Sequence, residues 1–256
     1  MIISFANQKG GVGKTTSAIN VAASLGALGK KVLLCDFDPQ SNATSGVGIN
    51  KRNVKLSIYD VIIGRCSVGE AKIKTEYENI WLLPSDINLA GAEIEFVEDD
   101  LSDRFYRFRN TISAAKEEFD YIIVDCPPSL GILTVNALCG SDYIIVPMQC
   151  EYFALEGLQQ LTNTYNRVKR LYNPNLDIAG ILITMYDGRL ILSIQILNEL
   201  KKNFANKILK TLVPRAIRLA EAPSHGMPIY YYDKTSKATD CYIELAKEID
   251  RICIKI

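Results

Sequence analysis

The sequence predicts an α/β fold, a doubly wound and mostly parallel sheet flanked by helices, in a single domain that spans residues 1–256. Strand-like and helix-like segments alternate along the whole sequence, and no Pro/Gly/Ser-rich linker interrupts them. Hydrophobic residues make up 48% of the composition, which is enough to bury a large core. Acidic residues directly follow two of the apolar runs, at the position that forms the ligand edge of an open parallel sheet.

The first predicted strand is the apolar run at residues 2–6, and a glycine-rich segment separates it from a helical pattern beginning at Ser17. That segment has the form of a phosphate-binding loop. Its glycines allow backbone N–H groups to converge on phosphate oxygens, and the following helix directs its positive end at the same anion. We therefore expect a nucleoside triphosphate with Mg²⁺ to bind the segment, which comprises Lys9, Gly10, Gly11, Val12, Gly13, Lys14, Thr15 and Thr16.

The loop departs from the ordinary pattern in two places. Gln8 stands where the first glycine of G-x-x-x-x-G-K-[ST] would fall, and Lys9 is an additional lysine. Lys14 already occupies the lysine position that reaches the phosphates, and Thr15 supplies the hydroxyl for magnesium. The charge of Lys9 is therefore predicted to point away from its own phosphate site.

Carboxylates follow the next predicted strands. The apolar run at residues 31–35 ends in Asp36 and Asp38, and the run at residues 121–124 ends in Asp125. Because parallel strands end at the same edge of a sheet, these side chains should face the phosphate-binding loop. Asp125 is the expected Walker B carboxylate of the magnesium shell. A turn or helix-capping role is the alternative, and for Asp36 the two interpretations remain equally open.

Two more strands are predicted at residues 80–84 and 143–147, and the last element is a helix with an apolar stripe from Tyr242 to Ile256. We expect this helix to pack on the core. No apolar run approaches the ~20 residues that a membrane span requires, and no basic-then-apolar leader precedes the first strand. Seven cysteines without a C-x-x-C pair indicate reduced thiols rather than disulfides or a zinc site. The expected localisation is cytoplasmic.

Charge is unevenly distributed although the formal net charge is zero. Residues 167–218 contain ten Lys/Arg and three Asp/Glu, a local charge of +7, which leaves −7 for the remainder. Acidic residues are concentrated in the acidic run, residues 93–103, which is predicted to lie in one helical stretch. Solvated faces are the simpler interpretation of both segments.

The loop, the Asp36-Phe37-Asp38-Pro39-Gln40 segment, and residues 184–189 and 213–224 resemble the ParA/Soj chromosome-partitioning ATPases, a family with a deviant phosphate-binding loop. The resemblance covers nearly the whole sequence. It implies ATP and Mg²⁺ as cofactors and slow hydrolysis, with Asp38 orienting the attacking water and touching the magnesium shell. Lys9 and Lys14 complete the implied catalytic set, Lys9 by crossing a dimer interface to the partner's nucleotide.

The resemblance also implies residues outside the loop. Met185, Pro214 and Arg215 would flank the adenine, and Arg189 and Arg218 would contact DNA. Ala216 departs from the family, which commonly has asparagine there, so the effect of this position on adenine recognition is left open by the sequence.

The implied function is an ATP-dependent homodimer that binds double-stranded DNA nonspecifically, associates with the nucleoid, and partitions DNA with a ParB-type partner. The acidic run is expected to receive a basic peptide of that partner. One alternative is a membrane-associated positioning ATPase like MinD, but Glu244, Glu248 and Asp250 give the final helix a polar face that matches anionic lipid poorly, so no membrane binding is expected. Another is an iron–sulfur reductase, for which Cys126 and Cys139 are the nearest candidate ligands.

Overall fold

A computed structural model of the protein describes residues 1–98, 103–204 and 206–254. Its centre is a seven-stranded sheet in the order β3-β4-β2-β5-β1-β6-β7, parallel except for β3. The strands are β1 Ile2–Phe5, β2 Val32–Asp36, β3 Ile73–Lys74, β4 Ile80–Leu83, β5 Tyr121–Asp125, β6 Tyr143–Gln149 and β7 Asp177–Thr184. The predicted doubly wound, mostly parallel sheet is confirmed.

Helices cover both faces of the sheet. They are α1 Lys14–Ala27, α2 Asn42–Gly46, α3 Ile58–Ile62, α4 Val68–Ala71, α5 Leu89–Glu98, α6 Arg107–Ile112, α7 Ile132–Gly140, α8 Ala154–Leu171, α9 Ile191–Phe204, α10 Ile217–Glu221, α11 Ile229–Tyr232 and α12 Lys237–Ile254. Short 3₁₀ turns are found at Lys51–Asn53, Ser113–Glu117 and Ala222–His225.

The central strands form because their residues are apolar on both faces. Every residue of β1, β2 and β5 is buried, as expected for parallel strands covered by helices on each side. Alternate residues enter different cores: Leu33 belongs to the core formed with α3 to α9, whereas Leu34 belongs to the core formed with α1 and α12. The sheet therefore fixes the carboxyl ends of β1, β2 and β5 side by side.

The final helix, α12, packs on the core as predicted. Tyr242, Leu245, Ala246 and Ile249 are each at most 1% exposed, and the Tyr242 hydroxyl lies 3.2 Å from that of Ser17 in α1. No helix in the described ranges is long and apolar enough to cross a membrane.

Two predicted boundaries change. Helix α1 begins at Lys14 rather than Ser17, because Gly13 adopts a left-handed conformation (φ 81°) that starts the helix directly after the loop. The acidic run is not one helix across the residues that are described: Glu93 and Glu95 lie on α5, whereas Asp103 lies in a turn before α6. Residues 99–102 lie outside the described residues, so the placement of Asp99 and Asp100 is untested.

Candidate nucleotide site

The phosphate loop, residues 9–16, joins β1 to the first turn of α1. Side chains bond three of its carbonyl groups: Lys14 Nζ donates to Lys9 O (3.0 Å), Gln149 Nε2 to Gly11 O (2.7 Å) and Thr184 Oγ1 to Val12 O (2.8 Å). The carbonyl dipoles are thus already satisfied by protein donors. The amides at the start of α1 are the groups that remain to bind an anion.

A cavity of about 360 Å³, the phosphate cavity, lies against this loop. Lys14 is 6% exposed there, and burial lowers the pKa of its ammonium, an effect opposed by Asp125, Cys126 and Asp38 in that order. A buried cation beside helix amides favours a polyanion. The cavity is lined by Gly10, Gly11, Gly13, Lys14, Thr15, Thr16, Asp38, Gln40, Asn42, Pro128 and Met185.

Asp36 has a structural role. It is fully buried, and its carboxylate accepts hydrogen bonds from the backbone N–H and hydroxyl of Thr44, both at 2.7 Å, and from Asp38 N at 3.3 Å. Burial raises its pKa to about 6 against the opposing effect of these donors. These bonds favour the turn interpretation that the sequence left open, because they tie down the segment from Asp38 to Thr44.

Asp125 differs from its neighbour Asp36, with which it is in register across β2 and β5. Both of its carboxylate oxygens are buried and make no hydrogen bond. Burial and then the Asp36 carboxylate raise its pKa well above the usual range, while the nearby Thr15 hydroxyl opposes the rise without reaching hydrogen-bond geometry. A buried carboxylate with free lone pairs beside a hydroxyl fits a hard cation such as Mg²⁺.

Mg²⁺ usually keeps several waters and takes one or two carboxylates together with phosphate oxygens. No group of three or more His, Cys, Asp or Glu side chains that could hold a metal is found among the described residues. The predicted metal residues Thr15, Asp38 and Asp125 are compatible with that partial set.

Asp38 lies at the edge of the phosphate cavity and is 7% exposed. Its Oδ1 atom accepts the Gln40 N–H at 2.9 Å. Asp38 and Lys14 therefore line one cavity, as the sequence predicted, and the carboxylate retains a second oxygen for water.

A second cavity of about 430 Å³, the base cavity, brings Met185, Pro214 and Arg215 together. Met185 has a left-handed conformation (φ 49°), and its sulfur accepts a hydrogen bond from Gln149 Nε2 (3.1 Å). Gly13, Thr16 and Met185 line both cavities, which places base and phosphate space side by side. The other residues lining the base cavity are Thr184, Val213, Ala216, Ile217, Leu219, Ala220 and Tyr242.

Lys9 is not among the residues that line the phosphate cavity. Its ammonium forms an ion pair with Glu151, and the two side chains are 41% and 49% exposed. The outward direction of Lys9 predicted from the sequence agrees with this contact. Its cis partner was not predictable from spacing, because Glu151 follows β6 and reaches the loop only through the fold.

The two arginines predicted to bind DNA are both ion-paired on the surface. Arg189 donates from Nε and Nη2 to Asp187 (2.9 and 2.7 Å), and its side chain is 90% exposed. Arg218 pairs with Glu221 (3.1 Å) and Asp233 (3.6 Å). The last two carboxylates lie outside the +7 segment, so that count overstated the local positive charge.

Sequence reasoning missed Gln149 and Thr184. Each is the last residue of its strand, β6 and β7, and each bonds the phosphate loop. The rule that located Asp125, a polar residue at the carboxyl end of a parallel strand, would have identified both.

Comparison with known proteins agrees with this geometry. A family model described as an AAA domain matches residues 1–178. The sporulation initiation inhibitor protein Soj of Bacillus subtilis is 50% identical over 97% of each chain. The chromosome partitioning protein ParA of Myxococcus xanthus is 46% identical over 97% of this chain and 87% of its own. The chain belongs to the ParA/Soj family of chromosome-partitioning ATPases.

Solved structures with the same fold as this ParA/Soj family member include two that carry other names. A cobyrinic acid a,c-diamide synthase from Mycobacterium smegmatis with bound ADP and magnesium has a TM-score of 0.85 and 33% identity, over 98% of this chain and 94% of its own. The cell division ATPase MinD of Pyrococcus furiosus has a TM-score of 0.80 and 25% identity over 98% of both chains. The higher identity of the partitioning relatives favours their family over either neighbour.

Proposed function

We propose that this chain is an ATPase switch that dimerises with ATP, binds DNA without sequence preference, and partitions DNA with a ParB-type partner. The observation that carries the proposal is the joined pair of cavities, one polar and lined by Lys14 and Asp38, the other apolar and lined by Met185 and Pro214. The triphosphate of ATP fits the polar cavity, and its adenine fits the adjoining apolar cavity.

The residues divide the work of hydrolysis. Lys14 and the first amides of α1 hold the phosphates, and Asp38 orients the attacking water. Thr15 and Asp125 would hold Mg²⁺, and Asp38 would contact the coordination shell of the ion. Bound Mg²⁺ supplies charge neutralisation on the phosphate oxygens. Phosphoryl transfer needs positioning and charge more than covalent chemistry, so this small set supports a slow switch.

Lys9 acts across the dimer in this proposal. Its present partner, Glu151, is half-exposed, and exposed ion pairs contribute about 0–1 kcal/mol. Exchange of Glu151 for a partner's triphosphate is therefore energetically accessible. The exposed side chains of Tyr152 (76%) and Phe153 (64%) lie directly after Glu151 and provide apolar area beside it.

The proposals for DNA binding and for contact with the partner are supported by membership of the ParA/Soj family and by the charges of surface side chains. Arg189 and Arg218 are the proposed phosphate contacts, and dimerisation doubles their number on one surface. The acidic run, residues 93–103, is the proposed site for a basic segment of the ParB-type partner. A membrane role like that of MinD is not favoured, because the apolar stripe of α12 is buried against α1.

One experiment separates these classes. The protein, with and without ATP and Mg²⁺, is tested for binding to an arbitrary duplex DNA and to anionic vesicles. We expect ATP-dependent, salt-sensitive binding to DNA and none to vesicles. Vesicle binding without DNA binding would replace the proposal with the MinD-like alternative.

A further inference from the structure

The catalytic loop, residues 38–41, forms a wall between two cavities. On one side is the phosphate cavity, which Asp38 and Gln40 line. On the other is an outer cavity of about 430 Å³, lined by Pro39, Gln40, Ser41, Lys51, Arg52, Asp86 and Ile87. Gln40 contributes to both. Asp38 (7% exposed) and Ser41 (2%) are buried, whereas Gln40 between them is exposed, so hydrogen bonds rather than packing must define the position of Gln40.

From the inner side, the loop is held by Asp36. The Asp36 carboxylate accepts the Asp38 N–H (3.3 Å), and Asp38 Oδ1 accepts the Gln40 N–H (2.9 Å). Ser41 then adopts a left-handed conformation (φ 55°), which a non-glycine residue adopts only when its surroundings impose it. The loop is thus a constrained segment rather than a relaxed turn.

From the outer side, the loop is held by Lys51. Its exposed ammonium donates to the carbonyl oxygen of Gln40 across the outer cavity. The 3₁₀ turn that carries Lys51 is itself fixed at its start, where the Asn50 side chain accepts the Arg52 N–H (3.0 Å). Gln40 therefore makes both contacts: its N–H donates to Asp38, and its carbonyl oxygen accepts from Lys51. A displacement of Gln40 moves Asp38 as well.

We propose that Lys51 is a positioning residue for ATP hydrolysis, which acts through the Gln40 carbonyl to hold the Asp38 carboxylate at the phosphate cavity. The inference rests on the proposed role of Asp38. Because Lys51 is exposed and touches the loop at one oxygen, its loss should change the chemical step while leaving nucleotide binding and the fold intact.

The test compares Lys51→Met, Lys51→Arg and the matched control Arg52→Met. The control removes a neighbouring charge on the same cavity from a side chain that makes no hydrogen bond to the catalytic loop within the described residues. We expect Lys51→Met to lower kcat for ATP about 5- to 10-fold, as for the loss of one hydrogen bond of ordinary strength by an exposed side chain. KM, ATP affinity, the ATP-dependent dimer fraction and the urea midpoint should not change. Lys51→Arg should recover most of kcat, and Arg52→Met should match wild type.

Three results overturn the inference: a wild-type kcat for Lys51→Met, an equal loss in Arg52→Met, or a loss that accompanies weaker ATP binding or a lower urea midpoint. Asp38→Asn, measured in parallel, separates this failure from that of the proposed function. A wild-type rate in Asp38→Asn removes the catalytic assignment and the Lys51 inference with it. An inactive Asp38→Asn beside a normal Lys51→Met removes only the inference.

Discussion

Lys9 and Lys14 show how two identical side chains in one loop take different environments. Lys14 is buried beside the phosphate cavity, with its ammonium on the Lys9 carbonyl, and burial lowers its pKa. Lys9 points to the surface and pairs with Glu151. The first is built to offset charge within its own site, and the second is free to exchange partners at little cost.

This difference predicts separable variants. Lys14→Ala should abolish ATP binding, since the cavity loses the cation that offsets the triphosphate, whereas Lys9→Ala should bind ATP within about threefold of wild type as a monomer but fail to dimerise. Isothermal titration gives the affinities and light scattering with ATP gives the mass. A Lys9→Ala variant that dimerises as well as wild type contradicts the trans role.

Asp36 predicts a pH dependence of stability. Its pKa in the folded chain is raised to about 6 from a usual value of 3.8, so the folded state binds the proton more tightly than the unfolded state. Its contribution to the free energy of unfolding is therefore largest at low pH and declines as pH rises from about 4 to 6, by roughly 3 kcal/mol at 1.36 kcal/mol per pKa unit.

Urea unfolding at pH 4.5 and 7 checks this for the nucleotide-free protein. The free energy of unfolding of wild type relative to Asp36→Asn should decline from pH 4.5 to pH 7, because only wild type carries the Asp36 carboxyl. Asp187→Asn is the control: Arg189 lowers the pKa of Asp187 to about 2, so this carboxyl is ionised in both the folded and the unfolded state over this range, and its difference from wild type should stay nearly constant. A constant difference between wild type and Asp36→Asn contradicts the prediction.

At the scale of elements, the ends of β6 and β7 organise the site. Gln149, the last residue of β6, donates both to the phosphate loop at Gly11 O and to the Met185 sulfur in the base cavity. Thr184, the last residue of β7, bonds Val12 O and Met148 O. Two strand ends thus connect the phosphate and base parts of the site.

Removal of this connection should weaken binding of the whole nucleotide. We expect Gln149→Ala to raise the Kd for ATP about 5- to 10-fold, as for one or two lost hydrogen bonds, and to raise the Kd for AMP, which lacks the outer phosphates, in a similar proportion. Gln160→Ala on the exposed side of α8 is the control, because within the described residues its amide hydrogen-bonds to the side chain of Glu156 and not to the nucleotide site. Fluorescent-nucleotide competition measures both affinities; loss of ATP binding with unchanged AMP binding contradicts the coupling.

The elements that the sequence predicted are those whose signal is local. An apolar run followed by an acidic residue specifies a strand and its ligand edge, so β2, β5 and the positions of Asp38 and Asp125 were predictable. The pairs Lys9–Glu151, Arg218–Asp233 and Lys51–Gln40 were not, because each joins residues whose contact depends on how the loops and short helices fold rather than on a regular spacing within one element. The spacing of residues along the sequence carries no information on such contacts.

At the scale of the whole molecule, neighbouring carboxylates reduce the positive charge of the predicted DNA surface. The formal net charge is zero, and Arg189 and Arg218 are paired with Asp187, Glu221 and Asp233. One copy of such a surface should bind DNA poorly. Under the proposed function, we expect two copies in an ATP dimer to supply enough phosphate contacts for nonspecific, salt-dependent binding.

We therefore expect the Arg189→Ala, Arg218→Ala double variant to lose DNA affinity and to flatten the slope of log K against log[salt] by up to about 3–4 per dimer, at roughly 0.9 per phosphate contact. ATP hydrolysis without DNA should be unaffected. Fluorescence anisotropy on a random duplex at several salt concentrations measures the slope. If slope and affinity both stay at wild-type values, the DNA surface lies elsewhere, with Lys201, Lys202, Lys207 and Lys210 next to test.

The central place of β1 in the sheet has a consequence for biosynthesis. Ile2 pairs with Ile122 and Ile3 with Tyr143. Strand β1 can therefore pair only after the ribosome has added β5 and β6, about 120 to 140 residues later. The phosphate loop also needs Gln149 and Thr184 to bond its carbonyls. A nascent chain that ends before β7 therefore contains the phosphate loop but not the complete nucleotide site. We expect ATP to stabilise the protein only after most of it has been synthesised.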